Sequence, residues 1–227
     1  MSEPIVILTG ASAGIGLSIL EALAQDAFVV AVSRTPPPLT HFKGRWICGD
    51  LEKPESLATT LIEDLRSNLQ DLDGVILCAA SYGANQRHPF LETQDREWDE
   101  VMNVNVRSQF IMTTRLLPLL LERQQAFLVA ISSNTATAPA PGRIAYGCSK
   151  AASYALFSGL AKELAGSAVS VVQIMPDRQV VTRGLRRRRP LGFDFSAYIQ
   201  PELFKEPIRS IVRSRAAGMN GRCLVLG

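Results

Sequence analysis

A tyrosine and a lysine on one predicted helix are the side chains of this sequence best placed for acid–base chemistry. Tyr146 and Lys150 are four positions apart, so a helix directs both from the same face. A free phenol ionises at about pH 10, and a nearby ammonium group lowers its pKa toward the working range. The pattern therefore predicts proton transfer by Tyr146, with a solvent-exposed Tyr–Lys pair as the structural alternative.

A glycine-rich segment near the start of the chain is typical of a phosphate-binding loop. Thr9-Gly10-Ala11-Ser12-Ala13-Gly14-Ile15-Gly16 follows an apolar run and precedes a helical pattern. Glycines permit a tight turn and let the backbone approach a pyrophosphate, which then lies at the positive end of the helix dipole. An ordinary strand–helix turn also uses glycine, but this position between strand and helix favours dinucleotide binding.

Short apolar runs alternate with longer helical stretches along the chain. Runs rich in Val, Ile and Leu without polar alternation indicate strands covered on both faces. They are Ile5–Leu8, Phe28–Val32, Val75–Ala79, Phe127–Ile131, Val169–Ile174 and Cys223–Leu226, with a weaker run at Arg45–Cys48. The predicted helices are Ile15–Gln25, Pro54–Asn68, Asp95–Arg123 and Ala145–Ala165, with a final helix after Pro201. This alternation predicts an α/β fold built on a doubly wound parallel sheet.

The chain is predicted to be one domain, residues 1–227, because no linker divides it and part of it would lack a core of its own. Arg34–Leu39 contains three prolines and is expected to be an exposed turn. Pro176–Pro201 is a long, basic, irregular connection. Connections of this length are usually functional lids or partly disordered.

Composition excludes several classes of protein. The chain is 47% hydrophobic with a net charge of +3, which excludes disorder. No apolar run reaches the roughly 18–20 residues of a membrane span, and the first residues lack the basic start of a signal peptide. The four cysteines lie far apart without a C-x-x-C pair, which argues against a metal site and a disulfide scaffold and predicts a reducing, cytoplasmic location.

Four motifs in order resemble the short-chain dehydrogenase/reductase family. The glycine loop has the spacing T-G-x-x-x-G-x-G, and Tyr146-Gly147-Cys148-Ser149-Lys150 matches Y-x-x-x-K. Ser133 lies 13 positions before the tyrosine (146 − 133 = 13), and Asn105 matches the helical asparagine of the family. The resemblance extends essentially from Ile5 to Gly227. Two segments, Leu117-Pro118-Leu119-Leu120 and Ala145–Ala152, resemble the benzil/sepiapterin-reductase-like branch.

This resemblance implies a Rossmann-fold oxidoreductase that reduces a ketone or diketone to an alcohol with NADP(H). In the implied tetrad Ser133 binds the carbonyl oxygen and Tyr146 donates the proton. Lys150 holds the nicotinamide ribose, and Asn105 anchors a water that relays protons to this lysine. The residues implied around the cofactor are Gly10, Ser12, Ala13, Gly14, Ile15, Gly16, Ser33, Arg34, Asp50, Leu51, Ala79, Ala80, Tyr146, Lys150, Pro176 and Thr182.

The end of the second strand favours NADP over NAD. An NAD site places Asp or Glu there to bind the ribose hydroxyls, whereas this chain has Ser33 followed by Arg34, whose planar fork can pair with a 2′-phosphate. Ala13 stands where many NADP-using relatives carry a second basic residue. Asp50 and Leu51 match the adenine-contacting pair of the family, with a helix N-cap as the alternative for Asp50.

Two motifs depart from the family. The N-N-A-G after the fourth strand reads Cys78-Ala79-Ala80-Ser81, which removes the asparagines that tie the sheet together but keeps small residues. The P-G after the sixth strand reads Pro176-Asp177, and the expected threonine is Thr182, one place late. Because Asp tolerates the left-handed conformation better than most residues, we expect this turn to survive.

The resemblance implies a substrate loop at about residues 176–201. The run Arg183-Gly184-Leu185-Arg186-Arg187-Arg188-Arg189 lies within it and allows three interpretations. It is a site for an acidic substrate or acyl carrier, a nucleic-acid contact, or a solvated mobile lid. The second lacks aromatic residues and a recognition motif, and flanking Gly and Pro residues favour the third.

The expected partner is therefore a small carbonyl compound, with neither nucleic acid nor membrane. The alternatives are a 3-oxoacyl (carrier-linked) reductase and a non-catalytic dinucleotide-binding regulator, against which the intact tetrad argues. The family pairs through the two long helices, which implies a homodimer or homotetramer.

Overall fold

Parallel strands form a single sheet in the part of the chain that the structure describes. This computed structural model describes residues 3–39, 41–69, 71–83, 87–187 and 189–227. The strands are β1 (Ile5–Thr9), β2 (Phe28–Ser33), β3 (Gly44–Cys48), β4 (Gly74–Leu77), β5 (Ala126–Ile131), β6 (Val169–Pro176) and β7 (Cys223–Leu226). Their order across the sheet is β3-β2-β1-β4-β5-β6-β7.

The central strands are buried on both faces, as their unbroken apolar runs predict. Ile7 of β1 pairs with Val30 on one side and Val75 on the other, and all three side chains are fully buried. β1 lies between β2 and β4, so the chain reverses its direction of winding beside β1. In open α/β sheets the crevice at this reversal, outside the carboxyl ends of the strands, is where ligands bind.

Helices cover both faces of the sheet. They are α1 (Gly14–Leu23), α2 (Pro54–Asn68), α3 (Asp95–Met102), α4 (Ser108–Leu121), α5 (Ile144–Glu163), α6 (Arg183–Arg187) and α7 (Lys205–Ser214). Buried side chains of α1 and α7 belong to one apolar layer, and those of α2, α4 and α5 to the other. Short 3-10 turns occur at Phe90–Glu92, Asn134–Ala136 and Pro201–Phe204.

The predicted doubly wound parallel sheet is confirmed, and two local expectations are wrong. The single helix predicted over Asp95–Arg123 is divided by a π-helical turn at Asn103–Arg107, where the buried Asn105 side chain bonds to neighbouring elements. The irregular stretch predicted over Pro176–Pro201 contains the short helix α6, which starts beside a threonine hydroxyl that accepts a hydrogen bond from the backbone N–H of Leu185.

Candidate active site

Three glycines shape the loop between β1 and α1. Gly10 and Gly14 have φ angles of 78° and 57°, in the left-handed region that favours glycine. A Cβ atom on Gly16 would lie 2.1 Å from the carbonyl oxygen of Gly10, and one on Gly10 would lie 2.9 Å from the Ala79 backbone. The loop is therefore packed against α1 and β4 so closely that these positions exclude any side chain.

The N-terminus of α1 suits an anionic group. Its N-cap is Ala13, no side chain caps it and its first turn has no acidic residue. The backbone N–H groups and the positive end of the helix dipole are thus left to a ligand. This terminus borders a cavity of about 670 Å³, whose lining includes Gly10, Ser12, Ala13, Gly14, Ile15 and Gly16. The glycine cradle and the uncapped terminus fit a dinucleotide pyrophosphate.

Ser33 and Arg34 line the same cavity at the end of β2, as the sequence predicts. The Ser33 hydroxyl donates to the carbonyl oxygen of Thr35 at 2.7 Å and accepts from the indole N–H of Trp46 at 3.1 Å. Ser33 therefore has a structural role in its turn, and Arg34 is the exposed basic group at this end. Trp46, on the neighbouring β3, is a supporting residue that the sequence analysis missed.

Asp50 and Leu51 also line this cavity, after β3. The Asp50 carboxylate accepts a hydrogen bond from the backbone N–H of Glu52 at 3.0 Å, which shapes the turn before α2. The N-cap of α2 is Lys53, so the alternative that made Asp50 the N-cap is wrong.

The end of β4 is tied to β1 by Thr9. Its buried hydroxyl accepts hydrogen bonds from the backbone N–H groups of Cys78 at 3.1 Å and Ala79 at 3.3 Å. Ala79 and Ala80 line the cavity, where their small side chains leave room beside the glycine loop. Thr9 thus ties the strands where the family's asparagines are missing. Thr9 stands in the glycine motif, but the spacing of that motif does not indicate this role.

Asn105 lies in the π-helical turn and is fully buried. Its side-chain oxygen accepts from the backbone N–H of Ser81 at 2.7 Å, and its amide donates to the Ser81 carbonyl at 2.7 Å and to the Ser149 hydroxyl at 2.9 Å. Asn105 does not line the cavity that contains the other predicted residues. It joins the segment after β4 to helix α5.

Ser133, Tyr146 and Lys150 come together where β5 and α5 meet the cavity. A hydrogen bond joins Ser133 and Tyr146. The Lys150 Nζ atom donates to the carbonyl oxygen of Ile131 at 3.0 Å and lies 5.9 Å from the centre of the Tyr146 ring. All three predicted side chains are buried and share one wall.

The pKa values in this cluster are shifted mainly by burial. Burial lowers the pKa of Lys150 to about 8. Burial raises the pKa of Tyr146 well above its usual value, and the charge interaction and hydrogen bond with Tyr82 raise it further. The hydrogen bond with Ser133 lowers this pKa, but by less than burial raises it. The sequence predicted a lowered pKa for Tyr146. In the protein itself the shift has the opposite direction, because desolvation of the phenolate dominates.

Tyr82 is a neighbour of the catalytic candidates that the sequence analysis missed. Its ring stacks on that of Tyr146, with centroids 4.5 Å apart and an angle of 17° between the planes. Its carbonyl oxygen accepts a hydrogen bond from Arg143 Nη1 at 3.2 Å. Tyr82 is an aromatic residue in the segment that follows the fourth strand, but only the fold brings its ring onto that of Tyr146.

Pro176 and Thr182 line the cavity from the segment after β6. A Cβ atom on Gly14 would lie 3.1 Å from the methyl group of Thr182, so this residue packs on the glycine loop. Asp177 is not among the described non-glycine residues with positive φ, so the expected left-handed aspartate is wrong. Its carbonyl oxygen accepts from the Asn134 side chain at 2.9 Å, which holds the turn.

The arginine run borders the site. Arg186 lies over the Phe195 ring at 4.9 Å from its centroid, and Arg189 lies over the Phe193 ring at 5.2 Å. Arg188 lies outside the described residues. Arg186 and Arg189 are therefore held against aromatic rings, whereas the side chains of a solvated lid would extend into water.

Neither a metal-binding cluster nor a membrane-spanning helix occurs among the described residues. No group of His, Cys, Asp and Glu side chains there is arranged to hold a metal ion. Within the same residues, no helix has the length and apolar character needed to cross a membrane.

The parallel sheet, the glycine loop and the cavity at the carboxyl ends of the strands define the dinucleotide-binding Rossmann class. A sequence model of the family described as short chain dehydrogenase matches residues 4–188. The chain therefore belongs to the short chain dehydrogenase family and is an oxidoreductase of that family.

Similar proteins agree with this family. An uncharacterized oxidoreductase from Staphylococcus epidermidis is 28% identical over 185 residues, which cover 78% of each chain. A solved structure from Pseudomonas syringae, described as a short chain dehydrogenase, is 28% identical with a TM-score of 0.85, covering 98% of this chain and 94% of that one. A 3-ketoacyl-(acyl-carrier-protein) reductase from Brucella melitensis, complexed with NADH, is 23% identical with a TM-score of 0.86, covering 98% and 96%.

Proposed function

We propose that the protein is an NADP-dependent carbonyl reductase that converts a ketone or diketone to an alcohol. The observation that carries this proposal is the placement of Ser133, Tyr146 and Lys150 on the wall of the cavity formed by the glycine loop. This set of side chains is suited to acid catalysis at a carbonyl group. The Ser133 hydroxyl binds the oxygen, the Tyr146 phenol gives the proton, and Lys150 lies 5.9 Å from the centre of the phenol ring.

NADPH, when bound, supplies the hydride. The first turn of α1 would hold its pyrophosphate, and Asp50 and Leu51 would border its adenine. Arg34 would pair with its 2′-phosphate, while Ser33 leaves this end without the carboxylate of an NAD site. The complex of the Brucella melitensis structure with NADH supports a nicotinamide dinucleotide in general. The preference for NADP rests on this chain's own residues.

Tyr146 is the proton donor in the proposed reaction. Even a free phenol ionises only at about pH 10, so the Tyr146 phenol is protonated at neutral pH and has a proton to donate. Ser133 fixes the substrate oxygen beside this phenol, so that the proton moves from the Tyr146 hydroxyl to the oxygen as it becomes an alcohol. Lys150 holds the nicotinamide ribose, and Asn105 keeps Ser81 and the stacked Tyr82 in place.

An NADPH-oxidation screen over ketones, diketones and acyl thioesters tests this function. We expect turnover with a ketone or diketone, and a higher kcat/KM with NADPH than with NADH. Exclusive turnover of carrier-linked 3-oxoacyl thioesters would replace the proposal with the 3-oxoacyl reductase alternative. Binding of NADPH without turnover of any carbonyl compound would leave a dinucleotide-binding regulator.

We also propose a cytoplasmic homodimer or homotetramer that pairs through α4 and α5. On α4 the side chains of Phe110 and Leu121 are 51% and 45% exposed. On α5 the small residues Ala151 and Ala155 are exposed and allow close helix contact. Exposed apolar groups on two neighbouring helices support an interface between copies.

A further inference from the structure

A second cavity of about 840 Å³ lies beside the first. Tyr82, Thr135 and Tyr146 are among the residues that line both cavities. A compound in the second cavity therefore reaches the phenol that we propose as proton donor. The second cavity is the available space for the part of a substrate beyond its carbonyl group.

The wall of this second cavity is basic. None of the described residues that line it carries a carboxylate, and its other polar side chains are hydroxyls and an amide. A cleft lined by charges of one sign concentrates ligands of the opposite sign. The positive charges come from the arginines Arg87, Arg143, Arg187 and Arg189.

Neutral groups contact three of these arginines, Arg87, Arg143 and Arg189. Arg143 Nη1 donates to the Tyr82 carbonyl at 3.2 Å, and Arg87 Nη1 donates to the Pro141 carbonyl at 3.5 Å. Arg189 lies over an aromatic ring, and its buried Nε atom has no hydrogen-bond partner within the described part of the chain. Carbonyl oxygens and rings orient a guanidinium group without neutralising its charge.

A guanidinium group binds carboxylate and phosphate through two parallel hydrogen bonds. On the basis of the carbonyl reductase function above, we propose that the substrate is a small ketone carrying a carboxylate or phosphate group, and that Arg187 and Arg189 bind this anion. The carbonyl lies at Tyr146 and the anion at the basic wall, so the cavity selects the substrate by charge as well as by its ketone. This proposal replaces the solvated lid that the sequence favoured.

Arg186 provides a matched control. It is adjacent to Arg187 in α6, and both side chains are exposed. Arg187 lines the second cavity, whereas Arg186 lies over Phe195 and lines neither cavity. Both substitutions, Arg187→Gln and Arg186→Gln, remove one positive charge from the same short helix, and only Arg187→Gln removes a charge from the wall of the second cavity. The Arg186 variant also loses its contact with the Phe195 ring.

The test compares kcat/KM for pyruvate, acetoacetate and levulinate with their methyl esters, and for dihydroxyacetone phosphate with dihydroxyacetone. We expect the best anion to exceed its neutral counterpart by about tenfold or more, because a hydrogen bond to a charged group has this effect. Arg187→Gln should remove most of this difference by raising KM for the anion, and Arg186→Gln should preserve it. Added salt should raise KM for the anion only.

The results decide between the proposals. Equal kcat/KM for anions and neutral counterparts, or equal effects of the two substitutions, would overturn the anion site and leave the carbonyl reductase intact. A preference for carrier-linked thioesters over every small anion would also overturn it. If no carbonyl compound is reduced, the proposed function fails, and isothermal titration with levulinate and dihydroxyacetone phosphate decides the site. Binding that is lost in Arg187→Gln but kept in Arg186→Gln supports it, and absence of binding overturns it.

Discussion

Replacement of Asn105 by alanine tests whether this asparagine holds Ser81 and Tyr82 in position beside Tyr146. The substitution removes three hydrogen bonds of 2.7, 2.7 and 2.9 Å and leaves the backbone N–H and carbonyl of Ser81 without these partners. An average net contribution of about 1 kcal/mol for each bond, together with the penalty for unpaired buried groups, gives a loss of about 3–5 kcal/mol in the free energy of unfolding. In a chain of this size that loss lowers Tm by about 10 °C.

Asn103→Ala is the matched control, because Asn103 lies in the same π-helical turn. Its amide donates to the Glu52 carbonyl at 3.1 Å, and its side chain is only half-buried. We expect a loss of about 1 kcal/mol or less for this control. Urea unfolding of both variants gives the two free energies, and NADPH oxidation gives their activities.

The two variants also distinguish this positioning role of Asn105 from a purely stabilising role. Ser81 leads directly into Tyr82, whose ring stacks on Tyr146. Asn105→Ala should therefore lower kcat even at a temperature where the variant is fully folded, whereas Asn103→Ala should retain wild-type kcat. Equal losses of stability in the two variants, or wild-type kcat in folded Asn105→Ala, would refute the positioning role of Asn105.

The remaining predictions concern cofactor choice, pH dependence and assembly. Arg34→Asp should shift the ratio of kcat/KM toward NADH by repelling the 2′-phosphate, and an unchanged ratio would remove Arg34 from the site. Tyr82→Phe removes a hydroxyl that raises the pKa of Tyr146. Reduction needs the protonated phenol, so the pH above which its rate falls should move downward, and an unmoved profile would contradict this. Light scattering at micromolar concentration should show a dimer or tetramer, and a monomer would exclude pairing through α4 and α5.

The parallel sheet was predictable because its strands depend on local composition. Each central strand is buried on both faces, so it appears in the sequence as an unbroken run of Val, Ile and Leu. The break between α3 and α4 was not predictable, since their helical periodicity continues through Asn103–Arg107. The π-helical turn is held by contacts of Asn105 with segments distant in sequence.

The candidate site was predictable where spacing along one element decides geometry. The glycine loop and the pair Tyr146 and Lys150 are of this kind, and the structure brings them to one cavity. The stacking of Tyr82 and the basic second cavity depend on how separate loops meet, which no local pattern encodes. The direction of the Tyr146 pKa shift was missed for the same reason, because burial is a property of the folded chain.

Tyr146→Phe tests the central claim, acid catalysis by this phenol, most directly. Tyr154→Phe is its control, because Tyr154 lies on the same helix and is absent from the lining of both cavities. The measurement is single-turnover carbonyl reduction with bound NADPH, alongside NADPH affinity by fluorescence titration. We expect Tyr146→Phe to slow reduction by about 10²–10⁴-fold with nearly unchanged NADPH affinity, and Tyr154→Phe to behave as wild type. Wild-type turnover by Tyr146→Phe would contradict the proposed mechanism.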